Sequence, residues 1–172
     1  ANSIKEKNRD FRVIEGNERV LKARLSDASY FFENDIANTF ENWNEKLKHV
    51  LFYESLGSLH DKIIRMANIS KIFSKRFGVK SELAKQAALL SKADLVSEMV
   101  TEFPELQGIM GGHYAKIKNE HEEVTKAIFE HYKPKGVSDD LPETKLGSLL
   151  SMVDKIDTLV GFFTIGKKPT GS

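Results

Sequence analysis

The sequence of 172 residues contains no cysteine, and this absence excludes several kinds of chemistry. Without a thiol the chain can have no disulfide, no cysteine nucleophile and no zinc site built on cysteine ligands. A large excess of one charge is also missing, because 26 basic and 25 acidic side chains leave a net charge of +1. Overall charge therefore gives no argument for nucleic-acid binding, and any such surface must be local.

Long apolar runs and nucleotide-binding patterns are absent as well. No stretch approaches the roughly 20 apolar residues of a membrane span, and residues 1–7 lack the apolar core of a signal peptide. No Walker sequence or glycine-rich dinucleotide pattern indicates an ATP site. The sequence begins at Ala1 without an initiator methionine, which predicts that it is a segment of a longer protein.

The apolar residues that are present recur at helical spacing, which predicts an all-α fold, a helical bundle with a helical segment before it. No strand pair is expected, although Phe11–Ile14 is a short extended candidate. The helices are predicted to begin near Asn17, Asn38, Leu59, Ser81, Asn119 and Pro142, with a short helix after Pro104. The helix from Leu59 is predicted to end at Phe77, because Gly78 is a typical C-terminal stop.

The most apolar of these stretches is residues 81–103, which we predict to be one deeply buried helix. Its apolar residues cover much of the helix circumference, as expected for a core helix. Pro104 ends it, because proline cannot donate the next backbone hydrogen bond. Further on, Gly111 and Gly112 are expected to interrupt the short helix and to bring its backbone near the surface.

Five long and unusual strings of residues carry a resemblance to a known family. They are residues 16–25, 91–96, 102–111, 141–144 and 154–163. Together, and in this order, they resemble the β subunit of the bacterial heterotetrameric glycyl-tRNA synthetase. The resemblance covers the chain from Gly16 to its end, and in that family the region is an internal part of a much longer subunit.

The resemblance implies a biological context, which is the ATP-dependent attachment of glycine to tRNA-Gly in the cytoplasm. It places ATP, with magnesium, on the other subunit, so that this segment has no cofactor and no catalytic residue of its own. The implied partners are tRNA-Gly, the synthetase α subunit and the rest of the β subunit, with no membrane and no DNA. The implied role of the segment is architectural and tRNA-directed.

The order of the helices also resembles the HD phosphohydrolases, which bind a divalent metal through a His, a His-Asp doublet and a later Asp. The corresponding positions here are His60, Ser91, Lys92 and Asp154. A hydroxyl and a cation replace the doublet, and a lysine ammonium has no lone pair to give a metal. We therefore expect an HD-like scaffold without its metal, in which Lys92 pairs with Asp154.

His60 and Asp61 form a literal His-Asp pair, but they lie at the start of a helix rather than in the context of the doublet. We interpret them as polar residues of a first helical turn. Two other functions stay open: a metal-dependent HD-type phosphohydrolase with a different ligand set, and a protein–protein docking module within the synthetase.

Contact with tRNA would need clustered basic side chains with an aromatic ring among them, for phosphate contact and base stacking. The candidates are Arg19, Lys22, Arg24, His113, Tyr114, Lys116 and Lys118. The alternative is an ordinary solvated face with intrahelical pairs, such as Glu18 with Lys22.

The predicted organisation has three parts. Residues 1–57 are an N-terminal segment with helices leading into the bundle, and residues 58–166 are the HD-like helical domain. Residues 167–172 are a linker to the rest of the subunit.

Overall fold

A computed structural model describes the backbone of residues 2–168 and the side chains of residues 11–168. Within this part of the chain the helices are α1 (Asn2–Ala37), α2 (Phe40–Leu47), α3 (Leu59–Phe77), α4 (Ser81–Leu90), α5 (Glu98–Glu102), α6 (Ile109–Ile117), α7 (Glu122–Glu130) and α8 (Lys145–Thr164). The predicted all-α bundle is confirmed. Among the helices described, none combines the length and the apolar character that a membrane crossing requires.

The first helix, α1, is a single helix of 36 residues. The predictions of an extended stretch at Phe11–Ile14 and of a helix start near Asn17 are therefore wrong. The stretch contains no proline, and Gly16 is its one glycine. A glycine costs a helix only about 1 kcal/mol relative to alanine, which a long helix tolerates.

A small antiparallel hairpin joins α2 to α3, with β1 at Leu51–Tyr53 and β2 at Gly57–Ser58. The expectation of no strand pair is therefore wrong, because these strands are too short for the alternation that identifies strands in sequence. The third helix has the predicted bounds and begins with a capping box, in which the Ser58 side chain accepts from the Asp61 amide and the Asp61 carboxylate accepts from the Ser58 amide. The interpretation of Asp61 as a first-turn polar residue is confirmed.

Residues 81–103 do not form one helix, and this prediction is wrong. Helix α4 ends at Leu90, a 3-10 turn follows at Ala93–Val96, and α5 is a separate short helix. Polar side chains at the break redirect the backbone: the Ser91 hydroxyl donates to the Ala88 carbonyl, and the Ser97 hydroxyl accepts from the Val100 amide and caps α5. Side-chain bonds of this kind compete with helix continuation.

The buried core lies where α3, α4, α6, α7 and α8 meet, and α2 adds Trp43 to it. Gly111 and Gly112 lie inside α6 and are buried, so the predicted interruption at the surface is wrong. A Cβ on Gly112 would lie 2.5 Å from the ring of Phe129 on α7. The glycines therefore permit two helices to approach closely.

Two later helix starts differ by a few residues from their predictions. The N-cap of α7 is His121 rather than Asn119, and its Nδ1 accepts from the Glu123 amide. Helix α8 is capped by Thr144, so that Pro142 lies before the helix rather than in its first turn. The second helix is capped by Thr39, one residue after the predicted Asn38.

Candidate functional site

The central feature of the bundle interior is a carboxylate held between two lysines. Asp154, on α8, has one oxygen 2.7 Å from Nζ of Lys92 and the other 2.9 Å from Nζ of Lys62. Lys92 lies in the turn after α4 and Lys62 in the first turns of α3. The predicted pair between Lys92 and Asp154 is confirmed, and Lys62 is an addition that the sequence analysis missed.

A second carboxylate extends this network toward the surface. Asp157 lies one turn after Asp154 and accepts from Lys62 Nζ at 3.2 Å. Arg65 binds Asp157 in a two-point contact, with Nε at 2.7 Å and a terminal nitrogen at 3.1 Å. Thr158 accepts a further hydrogen bond from Lys62 at 2.8 Å. We call these residues, Lys62, Arg65, Lys92, Asp154 and Asp157, the ion network.

Most of the ion network is withdrawn from water, and its pKa values reflect this. Burial alone would raise the pKa of Asp154, but the ammonium groups of Lys92 and Lys62 hold it well below its usual range. Burial lowers the pKa of Lys92 to about 8, although the Asp154 carboxylate opposes this shift. Both groups are therefore charged at neutral pH, as a buried pair needs to be if neither charge is to stand alone.

Aromatic and neutral groups enclose the Lys92 side of the ion network. Nζ of Lys92 lies 3.8 Å from the centre of the Tyr132 ring, a cation–π contact. The neighbouring His131 is fully buried, and its Nδ1 lies 2.7 Å from the Ile128 carbonyl oxygen. Burial, followed by the charge of Lys92, lowers the pKa of His131 to about 3. His131 is therefore neutral under physiological conditions.

A further buried acid, Asp94, accepts hydrogen bonds from backbone amides at the start of α6. One oxygen accepts from the amides of Gly108 and Gly111 at 2.6 and 2.9 Å, and so satisfies donors at a helix N-terminus. Burial raises the pKa of Asp94 to about 6, while these two hydrogen bonds oppose the rise.

The donor set does not fit the divalent metal that the HD resemblance implies. Ser91 points to the Ala88 carbonyl, and Lys92 and Lys62 present ammonium groups to the only carboxylate of the four predicted positions. His60 precedes Lys62 by two residues, so their side chains leave α3 about 160° apart. Among the described residues no group of three or more His, Cys, Asp and Glu side chains could hold a metal.

Lys62 and Asp157 were missed, but the sequence contains a signal for each. Lys62 precedes the buried Met66 by four residues, which places a lysine on the buried face of α3. Asp157 follows Asp154 by three residues and shares its face of α8. A lysine and two acids on the apolar faces of predicted helices indicate a buried ion pair, because a charge in a core needs a partner.

The solvent-facing edge of the ion network borders a groove between α3 and α8 of about 530 Å³. Ile69 and Phe73 line one wall, and Ile156 and Val160 line the other. Its charged groups, Arg65 and Asp157, are bound to each other. The groove is thus mainly an apolar surface, with no charged group turned toward a substrate.

The predicted tRNA contacts on α6 separate into buried and exposed residues. Tyr114 is fully buried, and its hydroxyl donates to Asp35 at 2.7 Å, so its ring cannot stack on a base. Lys118 is half-buried and donates to the carbonyls of Ile36 and Asn38 at the end of α1. Only His113 and Lys116 are exposed.

Comparison of the sequence with models of known protein families identifies the family of the chain. The model described as glycyl-tRNA synthetase beta subunit matches residues 1–172. The chain belongs to the glycyl-tRNA synthetase β-subunit family. A glycine–tRNA ligase beta subunit from Syntrophomonas wolfei is 50% identical over 161 residues, which are 93% of this chain and 23% of that protein.

Other members of the β-subunit family are similarly close. The glycine–tRNA ligase beta subunit of Neisseria meningitidis serogroup B is 46% identical over 159 residues, covering 92% of this chain and 23% of that protein. The one from a Sulfurihydrogenibium species is 47% identical over 167 residues, covering 96% of this chain and 24% of that protein. The chain spans about a quarter of the length of these relatives.

In this β-subunit family member the three basic residues predicted as tRNA contacts on α1 do not share one face of the helix. At about 100° per residue, Arg19 and Lys22 lie about 60° apart on the helix, whereas Arg24 lies about 140° from Arg19. Arg24 instead covers the Phe103 ring of the bundle, 5.0 Å from its centre. Arg19 and Lys22 are exposed, and no ion pair between Lys22 and Glu18 is formed within this described helix.

The lowered pKa of Asp154 predicts how the ion network responds to acid. Its folded pKa lies below the unfolded value of about 3.9, so its stabilising contribution is complete above that pH and is lost as pH falls through the folded pKa. We expect the unfolding free energy of the natural chain to fall more steeply below about pH 4 than that of a Lys92→Met, Asp154→Leu double variant. Urea unfolding at pH 7 and pH 3 measures this difference. An equal loss of unfolding free energy between the two pH values in both proteins would contradict it.

Proposed function

We propose that the chain is a non-catalytic, tRNA-directed architectural module of a glycine–tRNA ligase β subunit. The whole enzyme would attach glycine to tRNA-Gly in the cytoplasm, with ATP and magnesium used on the α subunit. The partners of the module would be tRNA-Gly, the α subunit and the remainder of the β subunit. Membership of the β-subunit family supports this context.

The observation that carries the non-catalytic part of the proposal is the ion network. Ammonium groups lie 2.7 and 2.9 Å from the oxygens of Asp154, where the HD resemblance calls for metal ligands. A catalytic metal site needs lone-pair donors and an open position for water. Here the donors are replaced by cations whose charge would repel a metal ion.

We propose further that residues 58–166 form an HD-like scaffold in which two lysines have replaced the metal. Residues 1–57 would be a helical segment leading into it, and residues 167–172 a linker. The phosphohydrolase alternative loses support, because the carboxylates of the ion network are already saturated by Lys62, Lys92 and Arg65.

The surface proposed for tRNA is an exposed face of α1 that carries Arg12, Arg19 and Lys22, with Glu15 among them on the same face. At about 100° per residue, these residues lie within about 80° of one another on the helix. All are exposed. Phosphate contact by such a surface is electrostatic, so its affinity depends on salt rather than on net charge.

The test is tRNA binding by the Arg12→Ala, Arg19→Ala, Lys22→Ala triple variant at several salt concentrations. We expect weaker binding and a salt slope reduced by between about 0.7 and 0.9 for each lost phosphate contact. The matched control is Lys71→Ala, Lys75→Ala, Lys85→Ala, which removes the same charge from exposed positions of α3 and α4. Equal losses in both variants, or no loss in either, would reject this face as the tRNA contact.

A further inference from the structure

The part of α1 that leads into the bundle carries apolar side chains that are more than half exposed in the described chain. Phe11, Ile14, Leu21 and Leu25 are 77%, 55%, 59% and 62% exposed. Together with Glu18 they follow alternating steps of three and four residues, which place them on one side of a helix. We call Phe11, Ile14, Leu21 and Leu25 the apolar stripe.

The apolar stripe continues without a break into the docked half of α1. Ala28 and Phe32, the next residues at the same spacing, pack against the core of the bundle. Phe32 stacks on Tyr114 with ring centres 6.1 Å apart. The stripe is therefore the extension of an established helix interface beyond the part of the bundle that covers it.

At the junction, the stripe and the bundle form one apolar hollow of about 320 Å³. Leu21 and Leu25 line it from α1, Phe103 and Leu106 line it from the segment between α5 and α6, and Met110 lines it from α6. A segment lying in this hollow would contact both surfaces. Steps of three and four residues are the spacing of a helix that packs along another helix.

We propose that an amphipathic helix from the remainder of the same β subunit packs along the apolar stripe and ends in this hollow. The inference rests on the proposed place of this chain within a longer β subunit. The chain spans about a quarter of the length of its relatives, so most of such a subunit is available to supply the helix. A covalently linked partner has a high effective concentration, so a small interface suffices.

Charge argues against a second copy of α1 and defines the partner further. Glu18 lies within the stripe, between Ile14 and Leu21. A second α1 would place Glu18 opposite itself or opposite an apolar side chain, and both arrangements are unfavourable. The partner helix therefore carries a Lys or Arg opposite Glu18, with apolar residues on either side of it.

Thiol labelling of the full-length β subunit tests the proposal, because residues 1–172 contain no cysteine of their own. Leu21→Cys reports on the stripe, and Ala23→Cys, exposed and about 160° away on α1, is the matched control. We expect Cys at position 21 to react about tenfold or more slowly than at 23, since a covered thiol reacts only when the helices separate. In the isolated 172-residue chain the two rates should be similar.

The charge of the partner is tested in the same assay. Glu18→Lys should speed labelling at position 21 severalfold, whereas Glu15→Lys, about 60° away on α1 and outside the stripe, should not. Equal rates at positions 21 and 23 in the full-length subunit would overturn the proposal. So would protection that needs the α subunit, or protection that rises with the concentration of the isolated chain. Labelling is done without tRNA, so a failure of the proposed tRNA contact leaves this result unaffected.

Discussion

Asp154→Ala should lower the free energy of unfolding by about 3–5 kcal/mol, the cost of removing one partner of a buried ion pair. The structural reason is that Asp154 neutralises two buried ammonium groups, at 2.7 and 2.9 Å. Without it Lys92 has no carboxylate partner, and Lys62 retains only Asp157 at 3.2 Å. Urea unfolding monitored by far-UV circular dichroism gives the measurement.

The two ends of the pair should not be equivalent. Lys92→Met leaves Asp154 bound to Lys62, so it should cost less than Asp154→Ala. The double variant Lys92→Met, Asp154→Ala removes both charges and leaves Lys62 with Asp157. We expect it to cost less than the sum of the single changes by about 0.5–3 kcal/mol, the range for residues in direct contact.

The matched control is an ion pair of the same length on the surface. Lys126 and Glu122 of α7 are also 2.7 Å apart, but their side chains are 55% and 78% exposed. Glu122→Ala should have no measurable effect, because solvent and salt screen such pairs. If Asp154→Ala were equally silent, or if its effect simply added to that of Lys92→Met, the ion network would not be coupled as we describe.

Asp35→Ala should have the second large effect, because this buried carboxylate joins three elements. It accepts hydrogen bonds from the amides of Glu98 and Met99 at 2.9 Å each, and from the Tyr114 hydroxyl at 2.7 Å. Hydrogen bonds to a charged group are worth roughly 1.5–3 kcal/mol each and do not add fully, so we expect a total loss of roughly 3–5 kcal/mol. Helix α1 should also loosen from α5.

Two further variants distinguish the effect of the Asp35 carboxylate from the effect of other contacts near it. Asp35→Asn retains one acceptor oxygen and should lose clearly less stability than Asp35→Ala. The control is Asn34→Ala, which removes an exposed hydrogen bond from Asn34 Nδ2 to the Glu98 carboxylate at the same helix start. This change should leave the free energy of unfolding nearly unchanged. Hydrogen exchange at the amides of Glu98 and Met99 should accelerate in Asp35→Ala only. Unchanged exchange there would contradict the capping role.

The fold was predictable wherever local signals agreed with tertiary packing. Helix α3 is an example, because its apolar spacing and the stop at Gly78 predict the bounds that the structure has. Residues 81–103 show the opposite case. Apolar spacing continues through Ser91–Ser97, but the buried side chains of Lys92 and Asp94 bind Asp154 and the Gly111 amide, and these two partners are distant in sequence.

Two residues of the candidate site, Asp154 and Lys92, could be predicted from the sequence. Replacement of a ligand doublet by Ser91 and Lys92 led directly to the pair of Lys92 with Asp154. Lys62 is not part of the metal-binding pattern, which contains the nearby His60, although Lys62 lies on the buried face of α3. Tyr114 was assigned to the surface from its basic neighbours, yet its ring packs 5.0 Å from that of Trp43 and its hydroxyl meets Asp35 from another helix.

The metal content of the purified chain, after incubation with Mn²⁺ and desalting, tests directly whether the ion network excludes a divalent metal. Two ammonium groups at the Asp154 carboxylate should leave no site for a divalent ion. We expect metal at the level of the buffer blank, for the natural chain and for Asp154→Asn alike. Stoichiometric manganese in the natural chain that disappears in Asp154→Asn would contradict it and favour a metal-dependent phosphohydrolase.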